Sequence, residues 1–256
     1  MTGTALKLTA LALMFIDHIY QFIDGMPIFL TWVGRLSAPV FVFCTAWGFH
    51  YTHNRKKYLL NMYWWNIGMA VGDVILSVLV PNPRVYLLNN IFTMLLLMNI
   101  IITIIERFRS SEKKQAVRLL GLFILLQLIS YVAVYLSLVW LPTSNIYLIA
   151  VSVFPSILFC EGGVAFVLFG VALYFAKESK LKLSIVCIAF ALYELILSTG
   201  FTYEGLFLQN YQWMMIFALP LILCYNGKKG RGLKWLFYAF YPVHIYLLYL
   251  LGSLLK

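Results

Sequence analysis

The chain has 256 residues, of which 63% are hydrophobic and only 11% are charged, and its mean hydropathy is +0.90. This composition excludes an ordinary soluble domain and indicates an integral membrane protein that crosses the bilayer several times. The formal net charge of +10 would suggest nucleic-acid binding in a soluble protein, but here the positions of the charges argue against a nucleic acid as partner.

The basic residues lie mainly in short gaps between apolar runs. Four gaps are rich in Lys and Arg, at 53–58, 106–118, 177–182 and 226–234, and the gaps between them are nearly neutral. Basic loops are typical of the cytoplasmic side of a multi-pass membrane protein. The pattern therefore predicts a cytoplasmic N-terminus and loops that alternate between the two faces of the membrane.

The apolar runs predict an all-α transmembrane bundle that forms one integral membrane domain over residues 1–256. About nine spans fit the loops, with eight or ten as alternatives: 5–23, 29–51, 58–80, 86–105, 118–140, 160–176, 182–200, 208–225 and 234–253. The apolar piece 141–159 is interrupted by Pro142 and Pro155, which suggests a re-entrant or interfacial helix on the outer side.

The first two spans carry ionisable residues at similar depth. Asp17 lies about eight residues before the first outer turn and Arg35 about nine or ten after it, so an ion pair across this hairpin is geometrically available. The pair could be structural or functional. His18 lies about 100° around the helix from Asp17, so these neighbours should contact different partners.

Other polar residues fall in the same layer of the membrane. Asp73 precedes the second outer turn by about as many residues as Asn90 and Thr93 follow it. Glu161 opens the sixth span, and His244 lies about 14 residues beyond the last cytoplasmic loop. Charged groups in spans are expensive and usually face a bundle interior or a water-filled cavity. We therefore expect a polar layer nearer the outer face. Asp73 could equally be hydrogen-bonded between helices as a structural residue.

The cysteines are all located within apolar runs. They show no metal-ligand spacing, so we expect buried free thiols, no disulfide and no metal site. They are Cys44, Cys160, Cys187 and Cys224.

Four blocks, in order along the chain, resemble the TraX family. They are "ALKLTALALMFIDHIYQF", "VGRLSAPVFVFCTAWGFHYTHNRKKYLLNM", "LLNNIFTMLLL" and "YNGKKGRGLKWLFYAFYPVHIYLLYLL". Two positions depart from the family pattern: Trp47 stands where the second block usually has Glu, and Glu161-Gly162-Gly163 replaces an Asp-Tyr-Gly motif. The departure at Trp47 puts any role of the family's carboxylate there in doubt, whereas Glu161 can still supply one.

The resemblance implies acetylation at a bacterial cell membrane. The family's namesake is associated with acetyl-CoA-dependent N-acetylation of a pilin N-terminus. The chain is more distantly similar to other transmembrane acyltransferases, which move acyl groups from cytoplasmic acyl-CoA to acceptors on the far side. The implied partners are acetyl-CoA, a peptide or glycan acceptor and the lipid bilayer, and a bundle of this size could also form a homodimer.

Acyl transfer needs a general base, oxyanion donors and an anion site for CoA. His18 is the natural base, because an imidazole with a pKa of about 6.5 is mostly neutral at physiological pH. We expect Glu161 or Asp73 to orient its second nitrogen. The donor to the oxyanion would be Arg35, paired with Asp17, or Asn90, or a tyrosine hydroxyl. Direct transfer is the first choice and an acetyl-His18 intermediate the second.

The CoA phosphates should bind to basic cytoplasmic residues in the loops that flank the spans with the TraX-like blocks. The candidates for binding acetyl-CoA, including groups within the bundle, are Arg55, Lys56, Lys57, Lys228, Lys229, Arg231, Asn90, Tyr238, Tyr241 and His244.

Two other functional classes stay open from the sequence. Asp, His and Arg within spans also mark the proton relays of transporters, although neither inverted repeats nor paired broken helices are evident. A non-catalytic accessory protein of a pilus or surface polymer is the third interpretation. The acceptor could be a peptide amine, an amino sugar or a hydroxyl.

Overall fold

The computed structural model describes residues 1–82, 87, 90–140, 146–197 and 200–255. Within these ranges the regular secondary structure is entirely helical, which confirms the predicted all-α class. The α-helices are α1 Gly3–Phe22, α2 Phe29–Gly34, α3 Ser37–His50, α4 Arg55–Leu79, α5 Ile91–Arg109, α6 Lys113–Trp140, α7 Ile146–Val153, α8 Gly163–Ala176, α9 Lys180–Ile196, α10 Leu219–Leu223 and α11 Lys234–Leu254.

Five helical stretches in the described ranges are long and apolar enough to cross a membrane: Phe29–His50, Arg55–Leu79, Ile91–Arg109, Lys113–Trp140 and Lys234–Leu254. Gly163–Ala176 and Gln212–Leu223 are shorter apolar helices. Among the described residues, every predicted span overlaps a helical region, but the count of about nine crossings and the cytoplasmic N-terminus stay predictions.

The predicted second span is two helices rather than one. α2 ends at Gly34 and α3 begins at Ser37, with a turn at Arg35 and Leu36. Pro39 explains the break, because proline has no backbone N–H to donate to the carbonyl of residue 35 and its ring crowds that carbonyl.

The predicted eighth span is also irregular. It begins at the end of a π-helical segment, Glu204–Gln209, and continues through a 3-10 segment, Gln212–Ala218, and the short α10, which has Pro220 in its first turn. Pro220 suits that position, because the first turn of a helix does not need its N–H. Cys224, expected to be buried, is exposed just after α10, whereas Cys44, Cys160 and Cys187 are buried as predicted.

The predicted re-entrant or interfacial piece contains α7, which covers Ile146–Val153. Residues 141–145 lie outside the described residues, as does Arg84 of the second outer turn. The helical part of the prediction is therefore confirmed only for α7.

The chain forms two compact units. The first contains Met1–Gly48 and Ala172–Lys256, and the second contains Phe49–Val171. In the first unit α1 packs on α2 and α11, and α9 packs on the 3-10 segment; in the second, α4 packs on α5 and α7, and α6 packs on the same two helices. The single domain over residues 1–256 stays a prediction.

The first turn of α1 is held by the loop that follows α10. Gly3 N donates to Lys228 O at 2.8 Å, and Thr4 N donates to Lys229 O at 3.0 Å. The Thr4 hydroxyl lies within hydrogen-bonding distance of both Lys229 O (3.0 Å) and Arg231 O (2.5 Å). Gly230 has a φ of +78°, a conformation that favours glycine. These contacts supply acceptors for N–H groups that a helix cannot satisfy internally.

Candidate active site

Two buried histidines meet in the first unit. His18 on α1 and His244 on α11 are 5% and 3% exposed, and His18 Nδ1 lies 2.6 Å from His244 Nε2. His244 Nδ1 lies 2.6 Å from the carbonyl oxygen of Phe240, one turn earlier on α11. The structure thus brings together the predicted base and a residue that we had assigned to acetyl-CoA binding.

Aromatic rings surround the histidine pair. The ring centroid of His18 is 5.9 Å from that of Phe22 and 6.3 Å from that of Tyr241. The ring centroid of His244 is 4.7 Å from that of Phe240 and 6.2 Å from that of Phe15. These rings restrict rotation of both imidazoles, and one of them, Tyr241, carries a hydroxyl.

The predicted ion pair between Asp17 and Arg35 is confirmed. One Arg35 terminal nitrogen, Nη2, lies 2.7 Å from Asp17 Oδ1 and 2.5 Å from Asp17 Oδ2. Asp17 thus contacts α2 and the turn after it, while His18 contacts α11. The prediction that these sequence neighbours have different partners is also confirmed.

Further groups hold this ion pair in place. Thr31 donates its hydroxyl to Asp17 Oδ1 at 2.5 Å, and Arg35 Nη1 donates to Gln212 Oε1 at 3.1 Å. The Arg35 guanidinium also lies 5.5 Å from the centroid of the Tyr211 ring. We did not predict Thr31, Gln212 or Tyr211 as members of this cluster. Thr31 was recognisable in principle, since it lies one helical turn before Arg35.

The other predicted carboxylates meet around a cavity in the second unit. Asp73, Asn90, Thr93 and Glu161 line a cavity of about 340 Å³ together with Tyr147, Ser152 and apolar residues. Asp73 is 3% exposed, whereas Glu161 is exposed. The predicted polar grouping of Asp73 with Asn90 and Thr93 is confirmed. The orientation of His18 by Glu161 or Asp73 stays a prediction, and His18 Nδ1 has the partner described above.

Asn66, which the sequence analysis did not single out, connects several polar groups of this unit through hydrogen bonds. Asn66 is fully buried; it donates to Ser152 O at 2.7 Å, and its Oδ1 accepts from Asn90 Nδ2 at 2.7 Å and from Thr93 Oγ1 at 2.6 Å. Asn90 also caps α5 by accepting from Phe92 N at 3.2 Å. Asn90 therefore has a structural role in addition to its predicted role at the acetyl-CoA site.

The basic residues predicted to bind CoA differ in their surroundings. Arg55 pairs with Glu106, and its guanidinium lies 4.7 Å from the centroid of the Phe49 ring. Arg55 and Glu106 line a cavity of about 670 Å³, as does Lys56. An internal carboxylate partner reduces the charge that Arg55 can offer to a phosphate. Lys57 is exposed at the start of α4.

The second basic set is exposed on the loop that holds α1. Lys228, Lys229 and Arg231 are all exposed, while their backbone carbonyls accept the hydrogen bonds from Gly3 and Thr4. The loop therefore presents positive side chains on a fixed backbone. Tyr238, the remaining predicted residue, is partly buried on α11, and Lys234 Nζ lies 5.8 Å from its ring centroid.

Comparison with protein-family models shows which family the chain belongs to. A family model described as "TraX protein" matches residues 2–252. The chain belongs to the TraX family. The match confirms the predicted resemblance, and together with the apolar helices it indicates a membrane protein. No curated protein and no solved structure matches the chain. The histidine and carboxylate geometry of this TraX family member is therefore interpreted below from its own structure.

Proposed function

We propose that this TraX family member is an acetyltransferase of the bacterial inner membrane, with His18 as its general base. It transfers an acetyl group from cytoplasmic acetyl-CoA to an amine or hydroxyl at or beyond the outer face. The observation that carries the proposal is the buried His18 imidazole, whose Nδ1 is hydrogen-bonded to His244. Membership in the TraX family, whose namesake is associated with acetylation, supports it.

The chemistry requires one proton to leave the acceptor as its bond to the acetyl carbon forms. His18 can take that proton on the ring nitrogen that does not face His244. The adjoining pair of Asp17 and Arg35 ties α1 to the turn after α2, which supports a rigid setting for the base. Tyr241 and Arg35 are the nearby groups from which we expect stabilisation of the oxyanion.

The loop at 226–231 is the preferred site for the CoA phosphates. Its exposed Lys228, Lys229 and Arg231 sit on a backbone that is bonded to the first turn of α1, the helix that carries His18. Thr4 and His18 are 14 positions apart on that helix, or about 21 Å at the rise of an α-helix. The pantetheine arm would follow α1 over this distance.

A vesicle experiment tests the sidedness and the base together. Purified protein is sealed in vesicles of known orientation, with acetyl-CoA on one side and a peptide amine, an amino sugar or a sugar hydroxyl on the other. We expect acetylation when acetyl-CoA is on the side of the basic loops, and we expect its loss in His18→Gln. Equal activity with acetyl-CoA restricted to the other side, or full turnover by His18→Gln, would refute the proposal.

A binding experiment tests the donor separately. A ligand that binds only the folded state stabilises it by about 2.7 kcal/mol at 100 times its Kd, so acetyl-CoA should raise the unfolding temperature in detergent. Replacing Lys228, Lys229 and Arg231 with Ala should weaken this effect. Replacing Lys180 and Lys182, exposed on α9, with Ala is the matched control and should leave it unchanged. No stabilisation of the wild-type protein would count against the donor.

A further inference from the structure

The hydrogen bonds around His244 determine which of its nitrogens carries the proton. Phe240 O can only accept a hydrogen bond. Because His244 Nδ1 lies 2.6 Å from that oxygen, Nδ1 must be the donor. In a neutral imidazole the other nitrogen is then an acceptor, so His244 Nε2 presents a lone pair.

The same reasoning extends to His18. His18 Nδ1 lies 2.6 Å from the accepting Nε2 of His244, so His18 Nδ1 carries the proton and donates it. His18 Nε2 is then left as the basic nitrogen. Both rings are thus held as the Nδ1–H tautomer by a chain of hydrogen bonds that ends on a backbone carbonyl.

We propose that His244 is the positioning residue for His18: it fixes the ring and the tautomer, and it shares the positive charge that His18 acquires. This inference rests on the proposed role of His18 as base. It gives His244 a different role from acetyl-CoA binding, and it provides the orienting group that we had expected from a carboxylate.

The proton movements balance over the reaction. As the acceptor nitrogen or oxygen bonds to the thioester carbonyl carbon, its proton passes to His18 Nε2, and the Nδ1 proton of His18 shifts towards His244 Nε2. One positive charge is then spread over two rings, with His244 Nδ1–H still bonded to Phe240 O. When the C–S bond breaks, His18 Nε2 returns a proton to the departing thiolate of CoA, and both rings are neutral again.

The surroundings explain why a histidine suits this position. Phe15, Phe22 and Phe240 pack around the pair, and an ionised carboxylate buried among them would carry a large desolvation cost. A neutral imidazole avoids that cost before the reaction. The carboxylate next to His18 in the sequence, Asp17, is already bonded to Arg35 and Thr31 on another side of α1.

A spectroscopic experiment tests the tautomers without acetyl-CoA. The chain contains four histidines, so replacing His50 and His53 with Gln leaves only His18 and His244. In the ¹⁵N-histidine spectrum of this full-length protein in bilayers, we expect protonated Nδ1 and unprotonated Nε2 in both rings. An Nε2–H tautomer in either ring would overturn the proposal even if acetyl transfer is observed.

Kinetics test the positioning role. His244→Phe keeps a ring but removes the acceptor, and should lower kcat on the order of 100-fold while the KM for acetyl-CoA changes less than about twofold. His244→Gln restores an accepting oxygen, and its kcat should be about tenfold higher than that of His244→Phe. A rise in KM without loss of kcat, or no recovery by Gln in a protein that unfolds like wild type, would overturn the proposal.

His53→Phe, at an exposed position, is the control. Absence of acetylation in the wild type would instead refute the proposed function, and the tautomer spectrum would still be informative.

Discussion

Thr31 donates its hydroxyl to Asp17 Oδ1 at 2.5 Å, on the same carboxylate that pairs with Arg35. The Asp17 and Arg35 side chains are 12% and 25% exposed. The carboxylate is therefore satisfied by a neutral donor and a charged donor within one short hairpin. An arrangement of this kind stabilises the fold only while all of its members are present.

The first prediction concerns this ion pair. Asp17→Asn and Arg35→Gln should each lower the free energy of unfolding by on the order of 2 kcal/mol, between the values typical of exposed and fully buried pairs. The double variant should lose less than the sum, because each single variant leaves the other residue without its ionic partner. Unfolding in detergent micelles measures this coupling. Additive losses would show that the two residues act independently.

The second prediction concerns Gly34, the last residue of α2. A Cβ at this position would overlap the Asp17 side chain, whereas a Cβ at Gly48 of α3 would have nothing within 4 Å. Gly34→Ala should therefore destabilise the protein and loosen the ion pair, while Gly48→Ala should be neutral or stabilising by up to about 1 kcal/mol. Thermal unfolding of the two variants compares them. Equal behaviour would argue against the close approach of α1 and α2.

The third prediction concerns the loop that holds α1. Thr4→Val removes the hydroxyl contacts with Lys229 O and Arg231 O and should free the loop to move. Trypsin cleaves after Lys and Arg, so we expect faster cleavage at 228–231 in this variant. Thr9→Val, on the same helix, is the control. If both variants are cut at the wild-type rate, the hydroxyl does not hold the loop.

The fourth prediction concerns Asn66 in the second unit. Asn66→Ala leaves Thr93 Oγ1 without its acceptor and Ser152 O without its side-chain donor, while Asn90 Nδ2 keeps only the backbone carbonyl of residue 66, at 3.0 Å. The free energy of unfolding should fall by on the order of 3 kcal/mol, because buried polar groups are costly to leave unmatched. Asn61→Ala, a half-buried position on the same helix, should cost less. The denaturant midpoint measures both variants, and similar losses would contradict the network.

The sequence predicts contacts well where two residues flank a short turn. Asp17 and Arg35 are joined by one brief connection, so counting residues from the turn places them at equal depth. Asp73, Asn90 and Thr93 follow the same logic. In each case the helix geometry and the cost of charge in a membrane are sufficient to indicate the partners.

The contact between His18 and His244 could not be predicted in this way. The two residues are 226 positions apart, and depth alone does not say which helices are neighbours or which faces they present. The break before Pro39 was visible in the sequence, but its effect on the second span was not recognised. Asn66 gave no signal, because one amide in an apolar helix is equally compatible with any nearby partner.

The hydrogen bonds from Gly3 and Thr4 to Lys228 and Lys229 have a consequence for biosynthesis. A ribosome releases the first helix long before it has translated the residues that complete that helix's opening turn. Until the loop at 226–231 is made, the amides of Gly3 and Thr4 must therefore donate hydrogen bonds to other acceptors, such as water or lipid headgroups. A helix that is made early is thus among the last to reach its final state.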